Sequence, residues 1–345
     1  MRIVNIMLAE GRGGVEAMAL RYHQAMRRAG FDVASLGHAR GVFAEAVAAG
    51  GMAPEDFVPV DALINHDPRA ALRLHAVNKR FRPDVVLAHG NRPTGIALLP
   101  FAGTAGKTVQ VVHNFRSKPQ VERLRAAISV SASVSGHLRA AHPGLAVFEV
   151  LNFAPLDVHP VKAKPRGPPV IGALGRLHEN KGIDILLRAF ARLGGEARLT
   201  IAGDGPERTR LEALAAALGL GGRVEFVGWV SPAADYLATL DLFVVPSRVE
   251  PFGLVVAEGM AAGVPVIASR IDGPREILRD GELGRLVAPE DEAALAEAMA
   301  LSIGDWDATL RRAAAAQAYA CEHFSLEAGA RRLKAALEQI VPILG

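Results

Sequence analysis

The chain has 345 residues, half of them hydrophobic, a net charge of +3 and one cysteine, Cys321. That length predicts two domains, and a lone cysteine excludes an internal disulfide and a cysteine-rich zinc site. No apolar run reaches the roughly 18–20 residues of a membrane span, and MRIVNIMLAEGRGGVE lacks the apolar core and cleavage pattern of a signal peptide, so a soluble, cytoplasmic protein is expected.

In chain order, strand-like apolar runs come at residues 2–8, 32–36, 84–89, 108–113, 128–134 and 148–151, with helical Ala/Leu/Arg stretches between several of them. HPVKAKPRGPP, residues 159–169, then reads as a linker. The pattern restarts with strands at 170–174, 199–202, 224–227, 241–246, 264–269 and 285–287 and closes on an amphipathic helix beginning SLEAGARRLKAAL. Alternating strands and helices predict parallel sheets with helices on both faces. The expected class is therefore α/β, with two doubly wound, Rossmann-like domains over 1–160 and 161–324. The helix of 325–345 is expected to pack back on the first domain. Such sheets bind ligands at the carboxyl ends of their strands, which predicts a site in a cleft between the two domains.

Charge is uneven along the chain. Residues 1–165 carry 20 Lys and Arg against 12 Asp and Glu, and residues 166–345 carry 19 against 24. A basic first half suits an anionic partner, though an ordinary solvated surface fits as well. No basic patch is interleaved with aromatics, so nucleic acid is not an expected partner.

Several segments could carry chemistry. GRGGVEAMA, residues 11–19, is not a dinucleotide fingerprint, because Glu16 stands where a third glycine is needed, and GDGPER fails the same way at Arg208. His89 and His113 each end a strand, on the side where ligands bind. In GALGRLHENKGIDILLRAF, residues 172–190, Arg176 and Lys181 flank a turn between a strand and a helix. An arginine fork and a lysine point charge there can clamp a diphosphate.

EPFGLVVAEGMAAG, residues 250–263, follows a strand, and a helix is predicted to begin near Gly253. The first N–H groups of a helix lack internal partners and attract anions, and Gly253 lets a ligand approach the backbone. Glu258, about one and a half turns in, leans back toward that end, where its carboxylate would accept from ribose hydroxyls. Glu250 would take hydroxyls at the other end of the ligand. Two solvated acids at a helix start fit the spacing alone. Asp305 with Asp307, and the acids of PEDEAALAEAM, read as helix-terminal residues, so no metal site is predicted.

Glu250, Pro251, Phe252, Gly253 and Glu258, continued by GMAAGVPVIAS, closely resemble the signature of glycosyltransferase family 4, the retaining GT-B enzymes of glycosyl transferases group 1. The resemblance runs from residue 11 to the last helix and is densest over 172–290. It implies a donor-binding second domain and an acceptor-binding first domain. It assigns Arg176 and Lys181 to the diphosphate. Glu250, with backbone groups of Phe252, Gly253, Leu254 and Val255, falls to the sugar and phosphate, and Glu258 to the ribose. Gly13 and Gly14 match a turn that reaches the donor's phosphate and sugar. His113 matches a histidine beside the transferred sugar, although Asn114 departs from the small or acidic residue usual there. His89 falls on the acceptor side, and residues 224–230 lie where the family holds the base.

The implied reaction moves a hexose from a UDP- or GDP-linked sugar to a hydroxyl, without metal or cofactor, the nucleotide sugar being a co-substrate. Retention also follows from the resemblance, with Glu250 as nucleophile or, in a front-face attack, as a positioning residue. The basic stretches 68–82 and 115–125 suit the inner face of a membrane and a lipid-linked or lipopolysaccharide acceptor; a soluble glycan acceptor fits as well. A nucleotide-sugar epimerase of similar fold and a non-catalytic GT-B-like binding protein are the alternatives.

Overall fold

Strands buried on both faces cannot alternate polar with apolar residues, and the central strands here do not: VVLAH at 85–89 and LFVV at 242–245 are buried throughout. The computed structural model describes every residue except Arg12, Leu63, Asn65 and Ser117. Arg12 of the GRGG turn and Ser117 of the basic stretch 115–125 thus lie outside the described residues. The chain divides into two units, Met1–Pro155 with Ser325–Gly345, and Leu156–Phe324.

The first unit runs β1 (Arg2–Met7), α1 (Gly14–Arg28), β2 (Asp32–Gly37), α2 (Val42–Ala48), β3 (Phe57–Pro59), α3 (Pro68–Phe81), β4 (Val85–His89), α4 (Asn91–Ala97), β5 (Thr108–Val112), β6 (Ala126–Ser129), α5 (Ala132–Ala141) and β7 (Ala146–Glu149). Its sheet has the order β3-β2-β1-β4-β5-β6-β7, all parallel. The order reverses between β1 and β4, which opens a crevice at the carboxyl ends of those strands. The strand expected over 128–134 instead ends at Ser129. Ser131 accepts from the Val134 N–H at 3.3 Å and caps α5, so Val134 is helical. β3, three residues long, is too short to announce itself by periodicity.

The second unit runs β8 (Val170–Leu174), α6 (Ile183–Arg192), β9 (Arg198–Ala202), α7 (Arg208–Ala217), β10 (Val224–Gly228), α8 (Ala233–Leu237), β11 (Leu242–Val245), α9 (Leu254–Ala261), β12 (Val266–Ser269), α10 (Asp272–Ile277), β13 (Arg285–Val287), α11 (Glu292–Gly304) and α12 (Trp306–Phe324). Its sheet order is β10-β9-β8-β11-β12-β13, again all parallel, with the reversal between β8 and β11. Leu186, Leu187 and Phe190 of α6 are fully buried in one core with Ile171, Leu199 and Ile201 of the sheet. Each such side chain contributes roughly 1.5–3 kcal/mol by leaving water.

The last helix, α13 (Leu326–Leu344), belongs to the first unit and lies along α1. Gly329 admits the Phe153 ring, which would lie 2.1 Å from any Cβ placed there. Arg125 donates to the carbonyls of Ile343 and Leu344, groups that a helix end leaves without partners, and to an oxygen of Gly345 beyond it. No helix among the described residues is long and apolar enough to cross a membrane.

Candidate active site

The densest cluster of sequence-predicted residues lies where β8 and β11 meet. After β8 the chain passes Gly175 and Arg176, makes a short 3-10 turn over Glu179–Lys181, and enters α6 through Gly182 at φ 63°. A Cβ on Gly182 would sit 2.0 Å from the Pro246 carbonyl, so the loop after β8 lies directly on the loop after β11. That contact brings Lys181 to Glu250. The Lys181 ammonium donates to the Glu250 Oε2 in a short ion pair, with the side chains 29 % and 15 % exposed. Arg176 is exposed and has no ion pair among the described residues.

Beyond Glu250, Phe252 is buried edge-on against Phe324. Gly253 takes φ 90°, a left-handed value that side chains resist, and is the N-cap of α9. Among the described residues no side chain caps that helix, so the N–H groups of its first turn, at Leu254 and Val255, keep their hydrogen-bonding capacity for a ligand. Glu258 is half-buried in the middle of α9. Residues 224–230 form β10 and the turn after it, with Trp229 exposed.

Arg248, which the sequence did not single out, holds these loops together. Its guanidinium makes a two-pronged bond to Asp184 at 2.9 Å on each arm, and also reaches the Glu179 carbonyl and Glu290 at 2.7 Å. Its backbone N–H donates to the Asn180 carbonyl. Thus one residue ties the turn carrying Lys181, the first turn of α6 and the loop carrying Glu250. Burial opposes ionisation of Asp184, but the Arg248 hydrogen bonds and charge outweigh it and lower the Asp184 pKa. The bond to Asp184 in turn raises the Arg248 pKa.

In the first unit Gly13 is the N-cap of α1, after β1, and Gly14 is its first residue. Neither has a left-handed φ, and a Cβ on Gly14 would meet nothing within 4 Å. The fold itself therefore does not require a glycine at 14. His89 ends β4 and His113 follows β5, and the two rings stack at 5.3 Å.

A buried chain of hydrogen bonds assigns their protons. Asn5 Nδ2 donates to the Ala19 carbonyl at 2.9 Å, which leaves Asn5 Oδ1 to accept from His89 Nε2 at 2.8 Å. Burial, with the neighbouring His113, holds the His89 pKa well below its ordinary value, so the ring is neutral and its Nδ1 is bare. That atom accepts from His113 Nε2 at 3.1 Å. Burial lowers the His113 pKa to about 4, so this ring is neutral too and Nδ1 is the atom left to accept from a ligand hydroxyl. Asn5 was legible only as a polar residue inside the apolar run RIVNIM, where it is fully buried.

Residues 12–143 match the family model of Glycosyltransferase Family 4, and residues 157–320 that of Glycosyl transferases group 1. Among curated relatives, the lipopolysaccharide core biosynthesis glycosyltransferase LpsE of Rhizobium meliloti (strain 1021) is 42% identical over 141 residues, 41% of each chain. The match thus spans about two-fifths of that relative. LpsD of the same organism, also a lipopolysaccharide core biosynthesis glycosyltransferase, is 29% identical over 232 residues, 66% of this chain and 67% of that one. Among solved structures, Anabaena Alr3699/HepE in complex with UDP superposes with a TM-score of 0.85 at 21% identity, over 98% of this chain and all of that one. The two doubly wound units are those of the GT-B fold, and the chain belongs to glycosyltransferase family 4.

Proposed function

We propose that this protein transfers a hexose from a UDP- or GDP-linked sugar to a hydroxyl acceptor, with retention at the anomeric carbon and without a metal ion. The observation that carries this reading is the Lys181–Glu250 pair at the β8–β11 reversal, beside the uncapped start of α9. A cation, a carboxylate and free N–H groups within one loop pair suit a ligand that is anionic at its diphosphate and rich in hydroxyls elsewhere.

The donor diphosphate would displace the Glu250 carboxylate from Lys181. Lys181, Arg176 and the N–H groups of Leu254 and Val255 then take the charge that grows on the leaving phosphate as the anomeric C–O bond breaks. Glu250, released from Lys181, accepts from sugar hydroxyls together with the backbone around Phe252 and Gly253. Glu258 accepts from the ribose. In the first unit, the turn at Gly13 and Gly14 admits the donor's phosphate and sugar, and His113 Nδ1 accepts from a sugar hydroxyl. The acceptor oxygen attacks the face the diphosphate leaves, and its proton passes to the departing phosphate oxygen. In this account Glu250 positions the sugar and does not attack it. The products are a glycoside and a nucleoside diphosphate.

For the acceptor we propose a lipid-linked or lipopolysaccharide glycan at the inner face of a membrane. The names of LpsE and LpsD support this, as do the clustered arginines and lysines of α3, whose last turn carries Lys79 and Arg80. The test is nucleotide release and product analysis across UDP- and GDP-sugars, with lipopolysaccharide-core and lipid-linked acceptors, in buffer containing EDTA. Acceptor-dependent release with an α-linked product from an α-linked donor supports the proposal. An epimerised or free sugar without a glycoside would point to an epimerase, and no release with any donor to a binding protein.

A further inference from the structure

A wide-mouthed cavity lies at the edge of the second unit's sheet, two strands beyond β11. It measures about 480 Å³ and is walled by β13, α11, α12 and the turn around Asp280. Its size falls in the range of small-molecule sites. Three arginines line it: Arg270 just after β12, Arg285 at the start of β13, and Arg312 in α12.

Arg285 and Arg312 are half-buried, and neither has an ion pair among the described residues. Arg285 donates through Nε to Ser302 Oγ at 3.0 Å, and that hydroxyl donates onward to the Ala298 carbonyl at 2.8 Å. Among the described residues a neutral hydroxyl is therefore the one hydrogen-bond partner of this side chain. Burial, with the charge of Arg285, lowers the Arg312 pKa. Two acids also line the cavity. Asp280 is bound by Arg275 at 2.9 Å, and Glu297 stands exposed on α11.

The backbone adds a donor. The Val287 carbonyl accepts from the Arg270 N–H on the β12 side of β13. By the two-residue alternation of a strand, Leu286, which lines the cavity, turns its N–H, and with it its carbonyl, to the open edge of the sheet. Like charges half out of water, without an ion pair to a carboxylate among the described residues, are unfavourable for folding unless an anion joins them. Planar guanidinium forks suit the oxygens of phosphate, while Glu297 can accept from a hydroxyl on the same ligand.

We propose that this cavity binds a phosphomonoester, a small phosphorylated sugar or polyol, with its phosphate held by Arg270, Arg285 and Arg312. The site is separate from the proposed donor site and does not depend on it.

The test is calorimetric titration of the full chain with a hexose 6-phosphate, and with the unphosphorylated hexose as control. The expected result is binding of the phosphate ester alone. Arg285→Gln with Arg312→Gln should weaken it by about tenfold or more, the loss expected of charge-assisted forks, while Arg176→Gln with Lys181→Gln leaves it unchanged. Should the double variant fail to fold by circular dichroism, Arg312→Lys serves instead. It keeps the charge, loses the fork and should bind several-fold more weakly. Vesicles containing phosphatidic acid form a second arm. Vesicle binding lost in the same variants, without hexose phosphate binding, would assign the phosphomonoester to a lipid headgroup. The proposal is overturned if neither probe binds at millimolar phosphate, if the cavity variants bind as the unaltered chain does, or if only the Arg176/Lys181 variant loses binding.

Discussion

Lys181 and Glu250 are 69 residues apart in sequence and form one ion pair, because β8 and β11 are neighbours in the sheet. A partly exposed pair of this kind adds little to stability, about 0–1 kcal/mol. Its value must be sought in ligand binding. Lys181→Met keeps the length of the stem and removes the charge. Nucleotide release should fall by about a hundredfold or more, the usual loss when one donor to a developing anion is removed. Thermal unfolding should shift little. Glu250→Gln should weaken turnover less than Glu250→Ala, since a positioning residue can keep part of its hydrogen bonding through an amide. Equal loss in both would instead favour Glu250 as a nucleophile.

Arg248 touches no proposed ligand, yet it braces both loops of the site. Arg248→Ala strands the Asp184 carboxylate, whose side chain is 15% exposed, and should destabilise the second unit by about 2–3 kcal/mol. The same pair carries an acid dependence. The folded pKa of Asp184 lies below its unfolded value, so its contribution is complete above the ordinary carboxylate range and is lost as pH falls through the lowered value. Calorimetric melting from pH 7 to 3 should show that loss in the unaltered chain and a shallower one in Arg248→Ala.

The glycines of the two units make opposite predictions. Gly253 has φ 90°, and a Cβ there would meet Glu250 Cγ at 2.9 Å. Gly253→Ala should cost about 1–2 kcal/mol in backbone strain and push Glu250 away from Lys181. Gly14 begins α1 with open space around it. Gly14→Ala should leave stability unchanged or raise it by about 0.5–1 kcal/mol, while weakening donor binding through the added methyl. Paired melting curves and donor titrations check both, and unaltered donor affinity in Gly14→Ala would remove this turn from the site.

The buried His23 and His89 and the half-buried His113 should make the first unit acid-sensitive. Burial lowers His23 to about 4 and His113 to about 4, and holds His89 well below its ordinary value. Between pH 6.5 and about 4 the unfolded chain therefore binds more protons than the folded one, so stability falls on acidification. Each histidine contributes at most about 1.4 kcal/mol per pH unit. Urea unfolding at pH 7, 5.5 and 4.5 should show the decline, with a smaller slope in His23→Gln. Nitrogen-15 spectra at pH 7 should show His89 and His113 protonated at Nε2 and bare at Nδ1. Protonation of His113 at Nδ1 would contradict the Asn5–His89–His113 chain.

What was legible in the residues was local. Alternating apolar runs and turns announced doubly wound sheets, and EPFG announced the helix that starts at Leu254, because a strand, its turn and the next helix are set by neighbours in sequence. The 128–134 run misled because Ser131 turned the chain into α5, and a side-chain cap outweighed the apolar pattern. Tertiary structure alone decided which loops meet. Strand order seats β8 beside β11 and β1 beside β4, and from that follow the Lys181–Glu250 pair, the Arg248 brace and the proton arrangement on His113. Periodicity records which face of a strand is buried. It carries no record of which strand lies alongside, since every buried parallel strand presents the same apolar surface to its neighbours.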